Sequence, residues 1–263
     1  MIQPAEKPGL LLEVEDLTRS YGGVLAVNGF SISIRSGQIV GMIGPNGAGK
    51  TTVFNLITGL DRADRGRIVF RGRDITHKPA HVIARRGIAR TFQNIRLLAE
   101  LSVLDNVKVA CHQHAGYGLV SAALRLGAFR RNERRIEEES MEYLSLLGLE
   151  SLAYEPALSL PYGKRRNLEI ARALATQGTL LLLDEPAAGL NPQETSDLSA
   201  LIRMLRDRFA LTILLIEHDM SMVMSLCDWV EVLDYGRGIA GGRPEQVKND
   251  PKVIEAYLGK PRK

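Results

Sequence analysis

The chain has 263 residues, of which 45% are hydrophobic and 24% are charged, and these proportions are typical of a soluble globular protein. The formal net charge of +4 is too small to indicate nucleic-acid binding by itself, and an aromatic content of 5% argues against a surface of interleaved stacking side chains. The two cysteines, Cys111 and Cys227, lack metal-ligand spacing, so we predict two reduced thiols and no disulfide.

We expect no membrane-spanning segment. The apolar runs at residues 180–183 and 213–216 are far shorter than the roughly 20 residues that a spanning helix needs. The opening residues, MIQPAEKPG, lack the apolar core of a signal peptide. If the protein serves a membrane, we therefore expect it on the cytosolic side, attached through partners.

Strand patterns dominate the first part of the chain. Apolar or alternating runs with β-branched residues predict strands at residues 10–16, 30–35, 38–43 and 67–70. A helix is predicted over residues 51–58 and ends at Gly59, because glycine readily adopts the left-handed conformation that closes a helix. Arg71 and Gly72 are predicted to form a turn after the fourth strand.

The middle of the chain, from about residue 94 to residue 158, is predicted to be helical. Ile136, Tyr143, Leu144 and Leu147 fall on one helical face, and Gly148 ends that run. Strand and helix patterns alternate again after Asn167, with strands at residues 180–183 and 212–216 and helices between and after them. This order predicts an α/β core with parallel strands, helices on both faces and a helical insertion.

Residues 44–51 read G-P-N-G-A-G-K-T and match the phosphate-loop pattern G-x-x-x-x-G-K-[ST]. Glycines let the backbone fold around phosphate oxygens, and the following helix begins with free N–H groups and a positive dipole end. Lys50 is expected to reach the β- and γ-phosphates, and the Thr51 hydroxyl to bind magnesium. The nucleotide-binding residues predicted here are Gly44, Pro45, Asn46, Gly47, Ala48, Gly49, Lys50, Thr51 and Thr52.

A run of four leucines at residues 180–183 precedes Asp184 and Glu185. A carboxylate at the end of a buried strand is costly unless it has a cationic partner, and we assign that part to magnesium, held by Asp184 partly through water. Glu185 is then placed to orient and deprotonate an attacking water molecule. An isolated Asp-Glu pair would fit a plain surface position equally well, and the phosphate-loop motif makes the catalytic interpretation the better one.

The segment at residues 160–174, L-P-Y-G-K-R-R-N-L-E-I-A-R-A-L, resembles the signature segment and its helix in ABC-transporter ATPase subunits. The resemblance extends over residues 10–258. It implies an α/β phosphate-loop ATPase core with a mostly parallel sheet, an N-terminal antiparallel β part and an inserted helical subdomain, with ATP and Mg²⁺ as cofactors. The implied segments are 10–93 (first part of the ATP-binding core), 94–165 (helical subdomain with the signature) and 166–258 (second part of the core).

The resemblance also assigns roles to individual residues. Tyr21, in S-Y-G-G, resembles the aromatic residue that stacks on adenine, although an ordinary strand-end tyrosine would look the same. Gln93, in R-T-F-Q-N, resembles the glutamine that senses magnesium and water. His218, in I-E-H-D-M, resembles the switch histidine that contacts the γ-phosphate. Gly163 is implied to meet the ATP bound by a partner subunit, and residues 188–191 resemble the loop that crosses to that subunit.

A narrower resemblance rests on three runs: P-A-A-G-L-N-P at residues 186–192, L-L-I-E-H-D-M at 214–220 and A-Y-L-G at 256–259. They resemble the first ATPase subunit of importers for branched-chain amino acids and related amide compounds. Such a subunit pairs with a different, slightly smaller ATPase, while a homodimer stays open. The pair drives two membrane permeases that an extracytoplasmic binding protein supplies. The implied location is the cytoplasmic face of the cell membrane, as a peripheral subunit without a nucleic-acid partner.

Three residues depart from the usual signature and crossing-loop patterns. Pro161 stands where serine is expected, and it removes both a hydroxyl and a backbone N–H that could meet phosphate, yet it is compatible with a first helical turn. Lys164 replaces a residue that is usually polar or acidic, and its charge could partly substitute in holding phosphate. Asn191 replaces the usual aspartate of the crossing loop. Of the three, only Pro161 puts catalysis in doubt, at one of two composite sites.

Two questions stay open at this point. One is the role of the basic clusters, the first between Arg62 and Arg73 and the second at residues 125–135, which fit either a solvated face or contact with anionic lipid or an acidic partner loop. The other is an alternative function, a soluble ABC-type ATPase acting on ribosomes, DNA or protein complexes. Soluble members usually carry two cassettes, a coiled coil or a cysteine cluster, and this sequence has none of these additions.

Overall fold

The computed structural model describes residues 9–114 and 127–258, and the chain divides into two compact units. One unit comprises Met1–Arg90 with Thr179–Lys263, and the other is Thr91–Gly178. The boundaries predicted after residues 93 and 165 both fall inside the second unit, so the three-segment division stays a prediction.

The secondary-structure elements are numbered in chain order. The strands are β1 (Leu10–Tyr21), β2 (Val24–Arg35), β3 (Ile39–Ile43), β4 (Arg65–Phe70), β5 (Arg73–Asp74), β6 (Ile88–Arg90), β7 (Leu180–Asp184), β8 (Thr212–Ile216), β9 (Trp229–Asp234) and β10 (Arg237–Gly242). The α-helices are α1 (Lys50–Ile57), α2 (Ala80–Arg85), α3 (Val103–Cys111), α4 (Gly127–Leu146), α5 (Tyr162–Ala175), α6 (Pro192–Phe209), α7 (Met220–Leu226), α8 (Pro244–Lys248) and α9 (Pro251–Leu258).

The first unit contains two sheets. An antiparallel sheet has the strand order β2-β1-β4-β5, and its long β1–β2 hairpin turns at Gly22 and Gly23, both with positive φ. Leu12, Val14 and Leu17 of β1 are buried, as expected for a strand with one face on the core. This sheet is the antiparallel N-terminal part that the sequence predicted.

The second sheet, ordered β10-β9-β3-β8-β7-β6, positions the chemistry. All of its pairs are parallel except β9–β10. Every residue of β3, β7 and β8 is buried, which matches their continuous aliphatic sequences, because strands of parallel sheets are covered on both faces. The carboxyl ends of β3, β8 and β7 therefore lie side by side at one edge of the sheet.

The predicted strands and the first predicted helix are present, and helices follow residues 212–216 as predicted, but two strands in that region were not predicted. Strands β9 and β10 follow α7. The pattern hid them because Glu231 interrupts the apolar run of β9, and β10 contains three glycines, which are uncommon inside strands. The Glu231 side chain lies across β10 and accounts for two of these glycines. A Cβ on Gly238 would come within 2.9 Å of a Glu231 carboxylate oxygen, and a Cβ on Gly241 within 2.6 Å.

The second unit contains α3, α4 and α5, and the predicted helical character is confirmed. Ile136, Leu144 and Leu147 are buried and Tyr143 is half-buried, so the predicted apolar face of α4 is the packed one. Helix starts later than predicted, at Val103, because Ser102 caps α3 by accepting a hydrogen bond from the Asp105 N–H at 3.0 Å.

The surface of α4 bears on the second basic cluster. Arg134 and Arg135 are exposed and pair along the helix with Glu138 at 3.0 Å and Glu139 at 3.6 Å, as expected of a solvated helix face. Arg125 lies outside the described residues.

Cys111 and Cys227 are both free and buried, in agreement with the predicted reduced thiols. Within the described part of the chain, no helix is long and apolar enough to cross a bilayer.

Glu231 generates a prediction about stability. Burial raises the pKa of Glu231 from 4.5 to about 7, with the Trp229 indole N–H, 3.4 Å away, acting in the opposite direction. Because the pKa of Glu231 is higher in the folded protein than in the unfolded chain, protonation of this residue favours folding. Its contribution to the free energy of unfolding is complete below pH 4.5 and is lost as the pH rises through about 7. Glu231→Gln should therefore stabilise the protein at pH 8, on the order of 2 kcal/mol, and have little effect at pH 5.

Thermal unfolding of the two proteins at both pH values measures this difference. Glu245, an exposed carboxylate on α8, provides the control variant Glu245→Gln. An equal change in Tm at pH 5 and pH 8 for Glu231→Gln would contradict the prediction.

Candidate active site

Lys50 is the first residue of α1 and lies inside the loop that connects β3 to this helix. It is only 6% exposed, and its Nζ donates hydrogen bonds to the carbonyl oxygens of Gly44 at 2.6 Å and Pro45 at 3.0 Å. Burial lowers the pKa of Lys50, while the carboxylates of Glu185 and Asp184 act in the opposite direction. The ammonium group is thus held at the loop, within electrostatic reach of both predicted carboxylates.

Glycine is required where this loop passes close to neighbouring backbone. Gly44 and Gly49 have φ of 150° and 102°, and a Cβ at either position would collide with the carbonyl oxygen of Leu233 or of Ala26. Gly49 also precedes α1 without a side chain to cap its N–H groups. A loop of this shape followed by an uncapped helix N-terminus suits an anion such as phosphate.

Asp184 ends β7 and is only 2% exposed. Its Oδ2 accepts a hydrogen bond from Arg90 Nη2 at 2.8 Å, and both side chains are buried. Arg90 also donates to Asn55 Oδ1 on α1 at 2.7 Å. The sequence analysis missed Arg90, because it did not predict the short strand β6 that ends at this residue, and it assigned the countercharge of Asp184 to magnesium alone.

Glu185 and His218 face each other across the ends of β7 and β8. His218 Nε2 lies 3.1 Å from Glu185 Oε1. Glu185 has a φ of 47°, an unfavourable conformation for a residue with a side chain, and its N–H donates to the Ile216 carbonyl at 2.9 Å. This turn brings the carboxylate to the histidine, so the two predicted catalytic groups form one hydrogen-bonded pair.

A third carboxylate, Glu217, directly precedes His218 in the chain and was not predicted. It is 3% exposed, and its oxygens accept from the N–H groups of Ala187 at 2.7 Å, His218 at 3.0 Å and Asp219 at 3.4 Å. Burial raises the pKa of Glu217, and these hydrogen bonds act against the rise. Glu217 therefore joins the loop after Glu185 to the loop that carries His218.

Tyr21 lies at the end of β1, in the hairpin whose second strand brings Ala26 against Gly49 of the loop. The tyrosine is 42% exposed, its hydroxyl donates to Asp61, and the Arg19 guanidinium lies 4.7 Å from the ring centroid. Arg19 pairs with Asp61 and Asp64, both at 2.9 Å. These contacts hold the tyrosine ring in a fixed orientation at the surface. The ring lies on the β1–β2 hairpin, which packs against the loop between β3 and α1.

Other predicted residues belong to the second unit. Gln93 is exposed, and its backbone carbonyl accepts from Arg166 Nη2 at 3.4 Å. Pro161 is the N-cap of α5, and Gly163 is in its first turn. Lys164, considered above as a phosphate ligand, donates instead to the Gly148 carbonyl at 2.9 Å. The structure therefore groups the loop, Asp184, Glu185 and His218 in the first unit and places Gln93 and Gly163 in the second.

The residues of the first unit fit a magnesium ion that arrives with a nucleotide. The available ligands are the Thr51 hydroxyl at the start of α1 and the buried carboxylate of Asp184, and Mg²⁺ prefers such oxygens and keeps several waters. Among residues 9–114 and 127–258, no group of three or more His, Cys, Asp or Glu side chains could hold a metal on its own. This donor set suits an ion that phosphates also coordinate.

Comparison with known proteins agrees with this geometry. The sequence model of the ABC transporter family matches residues 27–188, which include the phosphate loop, Asp184 and Glu185. The chain belongs to the ABC transporter family. A second model, described as branched-chain amino acid ATP-binding cassette transporter, matches residues 239–262.

Relatives of the chain match it over almost their entire lengths. The high-affinity branched-chain amino acid transport ATP-binding protein BraF of Pseudomonas aeruginosa is 48% identical over 249 residues, which cover 95% of this chain and 98% of BraF. The corresponding protein LivG of Salmonella typhimurium has the same identity and coverage. Among solved structures, an ATP-binding cassette of an ABC transporter in its ADP conformation is 34% identical with a TM-score of 0.82, covering 95% of this chain and 99% of that one.

The chain is thus an ATP-binding and ATP-hydrolysing subunit of an ABC transporter, as the sequence predicted. The soluble alternative has no support from these relatives. The C-terminal stretch that the second family model matches also approaches this loop: Lys252 and Glu255 of α9 line the same cavity as residues 45–48. The C-terminal helix α9 therefore lies beside the phosphate loop.

Lys50→Ala should lower the affinity for ATP about 10- to 100-fold, because each hydrogen bond to a charged group contributes about 1.5–3 kcal/mol. Titration of the purified chain with ATP measures the affinity, and circular dichroism checks that the fold is retained. Lys78→Ala, at an exposed position of the same unit, is the matched control and should bind ATP normally. Unchanged affinity in folded Lys50→Ala would refute the phosphate-loop assignment.

Glu217→Gln keeps the size of the side chain but replaces one acceptor oxygen by an N–H₂ donor facing backbone N–H groups. We expect ATP affinity to be retained and hydrolysis to fall about tenfold, because the loops of Glu185 and His218 lose their shared anchor. Steady-state hydrolysis and ATP titration separate the two effects. If both affinity and hydrolysis match those of the Glu245→Gln control, Glu217 does not position the pair.

Proposed function

We propose that this chain energises the uptake of branched-chain amino acids, or of related amino acid or amide compounds, through partner membrane permeases. The observation that carries the proposal is the convergence of Lys50, Glu185 and His218 on the adjacent ends of β3, β7 and β8. The substrate class is supported by the relatives BraF and LivG and by the family model that matches residues 239–262. No residue of this subunit is proposed to contact the transported compound.

Nucleotide binding is assigned to the first unit. The backbone N–H groups of the loop and Lys50 hold the phosphates, and Tyr21 stacks on adenine with its ring oriented by Arg19 and Asp61. The phosphate contacts are assigned to Gly44, Pro45, Asn46, Gly47, Ala48, Gly49, Lys50, Thr51 and Thr52. Thr51, Asp184 and Gln93 would hold Mg²⁺, partly through water, and the ion would offset phosphate charge during hydrolysis.

Hydrolysis is assigned to the Glu185–His218 pair. Glu185 accepts a proton from the attacking water, and His218, 3.1 Å from its carboxylate, orients it and contacts the γ-phosphate. The anchoring of both loops by Glu217 fixes the distance between the two groups. Arg90 holds Asp184 at the end of β7, so the carboxylate keeps its place before the nucleotide arrives.

The assembly is proposed from the family. Two ATPase subunits enclose two ATP molecules, with the signature at Pro161–Gly163 of one subunit covering the nucleotide of the other. We propose a heterodimer with a second ABC ATPase, docked on two permeases at the cytoplasmic face of the membrane and fed indirectly by an extracytoplasmic binding protein. In this arrangement residues 94–165 act as the helical subdomain between the two parts of the ATP-binding core.

Pro161 makes the two ATP sites of this heterodimer unequal. As the N-cap of α5 it offers neither a hydroxyl nor an N–H to the partner's nucleotide. The site that uses the partner's phosphate loop and this chain's signature should therefore turn over about 10- to 100-fold more slowly than a site with serine. The site built on this chain's own Lys50 and Glu185 is unaffected by the proline.

The experiment that tests the proposal uses the complete transporter carrying Glu185→Gln. This variant should bind ATP, hydrolyse it poorly and accumulate the closed dimer, because the amide cannot accept the proton. The residual hydrolysis then reports the other site, and adding Pro161→Ser should raise it. Hydrolysis at the wild-type rate in the Glu185→Gln transporter would show that Glu185 is not the base. Residual hydrolysis that Pro161→Ser leaves unchanged would show that the proline does not slow the second site.

A further inference from the structure

The signature helix α5 contains a buried ion pair that the proposed chemistry does not use. Arg166 is 1% exposed and Glu169 is 4% exposed, and Arg166 Nη1 lies 3.3 Å from Glu169 Oε2. Arg166 is among the largest fully buried side chains of the described residues. Buried ion pairs generally add little net stability compared with apolar side chains of similar size, so their geometry is a better guide to their role than their strength.

Both side chains of the ion pair form hydrogen bonds with the backbone of the segment that carries Gln93. Arg166 donates to the Phe92 carbonyl at 3.0 Å and to the Gln93 carbonyl at 3.4 Å. Glu169 accepts from the Phe92 N–H at 3.0 Å and from the Arg96 N–H at 3.5 Å. The helix thus holds both edges of this backbone, carbonyl and N–H, with two side chains one helical turn apart.

Tyr162 extends this contact into the signature itself. Its hydroxyl accepts from Arg166 Nη2 at 3.1 Å, the same nitrogen that reaches the Gln93 carbonyl, and the guanidinium lies 5.8 Å from the ring centroid. The residue is 43% exposed at the beginning of α5. It occupies the third position of the signature, where the usual L-S-G-G-Q pattern has glycine and can offer no hydroxyl.

We propose that Tyr162, Arg166 and Glu169 form a signature clamp, a set of positioning residues that makes the Gln93 segment and the signature move as one body. The inference rests on the proposed function, in which Gln93 responds to the nucleotide of its own chain and the signature covers the nucleotide of the partner. The clamp then transmits the state of one ATP site to the other. Cooperative hydrolysis of ATP by the two sites is the expected consequence.

Tyr162→Phe is the variant of choice, because it removes one hydroxyl and leaves the buried ion pair in place. In the complete transporter we expect the Hill coefficient for ATP to fall from above 1 to about 1, and kcat to fall about tenfold, as for one lost hydrogen bond to a charged group. The affinity of the isolated chain for ATP should not change, because Tyr162 belongs to the site of the partner. A purely structural role would not separate these readouts.

Tyr154→Phe is the matched control, since Tyr154 is a 76% exposed tyrosine of the same unit. Arg166→Lys is the second variant, which keeps the charge but loses the forked geometry, and thermal unfolding shows whether it still folds. A folded Arg166→Lys protein should reproduce the loss of cooperativity. A wild-type Hill coefficient of 1, or a Tyr162→Phe protein that behaves like Tyr154→Phe, would overturn the proposal.

Gln93→Ala, assayed in parallel, distinguishes failure of the clamp from failure of the proposed function. If Gln93→Ala slows hydrolysis while Tyr162→Phe matches its control, the clamp alone is wrong. If Gln93→Ala hydrolyses ATP at the wild-type rate, the role assigned to Gln93 is wrong, and the clamp loses its basis with it.

Discussion

The parallel pairing of β3, β8 and β7 is the constraint on which the site depends. Met42 and Asp184 both pair with Ile216, so three consecutive strands end at the same level. The phosphate loop, Glu185 and the Glu217–His218 pair follow directly after these ends. Because each strand is buried on both faces, a shift in register would place polar groups in the core. The strand register therefore fixes the relative positions of the proposed catalytic groups.

Burial of charge is the second theme of the molecule. Lys50, Asp184 and Glu217 are each less than about a tenth exposed, and each is held by hydrogen bonds to backbone or by an ion pair. The side chains of Glu185 and His218, which pair with each other, are more exposed than these three groups. In the second unit, the buried side chains of Arg166 and Glu169 likewise form hydrogen bonds with the backbone of a loop that lies outside regular secondary structure.

Sequence patterns predicted the parts of the structure that a local rule determines. The aliphatic runs of β7 and β8, the phosphate-loop glycines and the apolar face of α4 follow from spacing alone. Arg90, Glu217 and the Glu231 side chain across β10 were missed, because each contact joins residues that are distant in sequence or hidden by an unfavourable composition. The roles of Tyr21, Gln93 and Gly163 came only from resemblance, because no local pattern distinguishes these residues from ordinary surface positions.

The central claim is that hydrolysis at these strand ends drives amino acid import. The most direct measurement is uptake of labelled leucine into vesicles that contain the complete transporter, with the binding protein and leucine on one side and nucleotide on the side of the ATPase subunits. The account predicts accumulation against a gradient with ATP and none with a non-hydrolysable analogue. Accumulation supported equally by the analogue, or ATP hydrolysis that leucine and the binding protein neither stimulate nor couple to uptake, would contradict it.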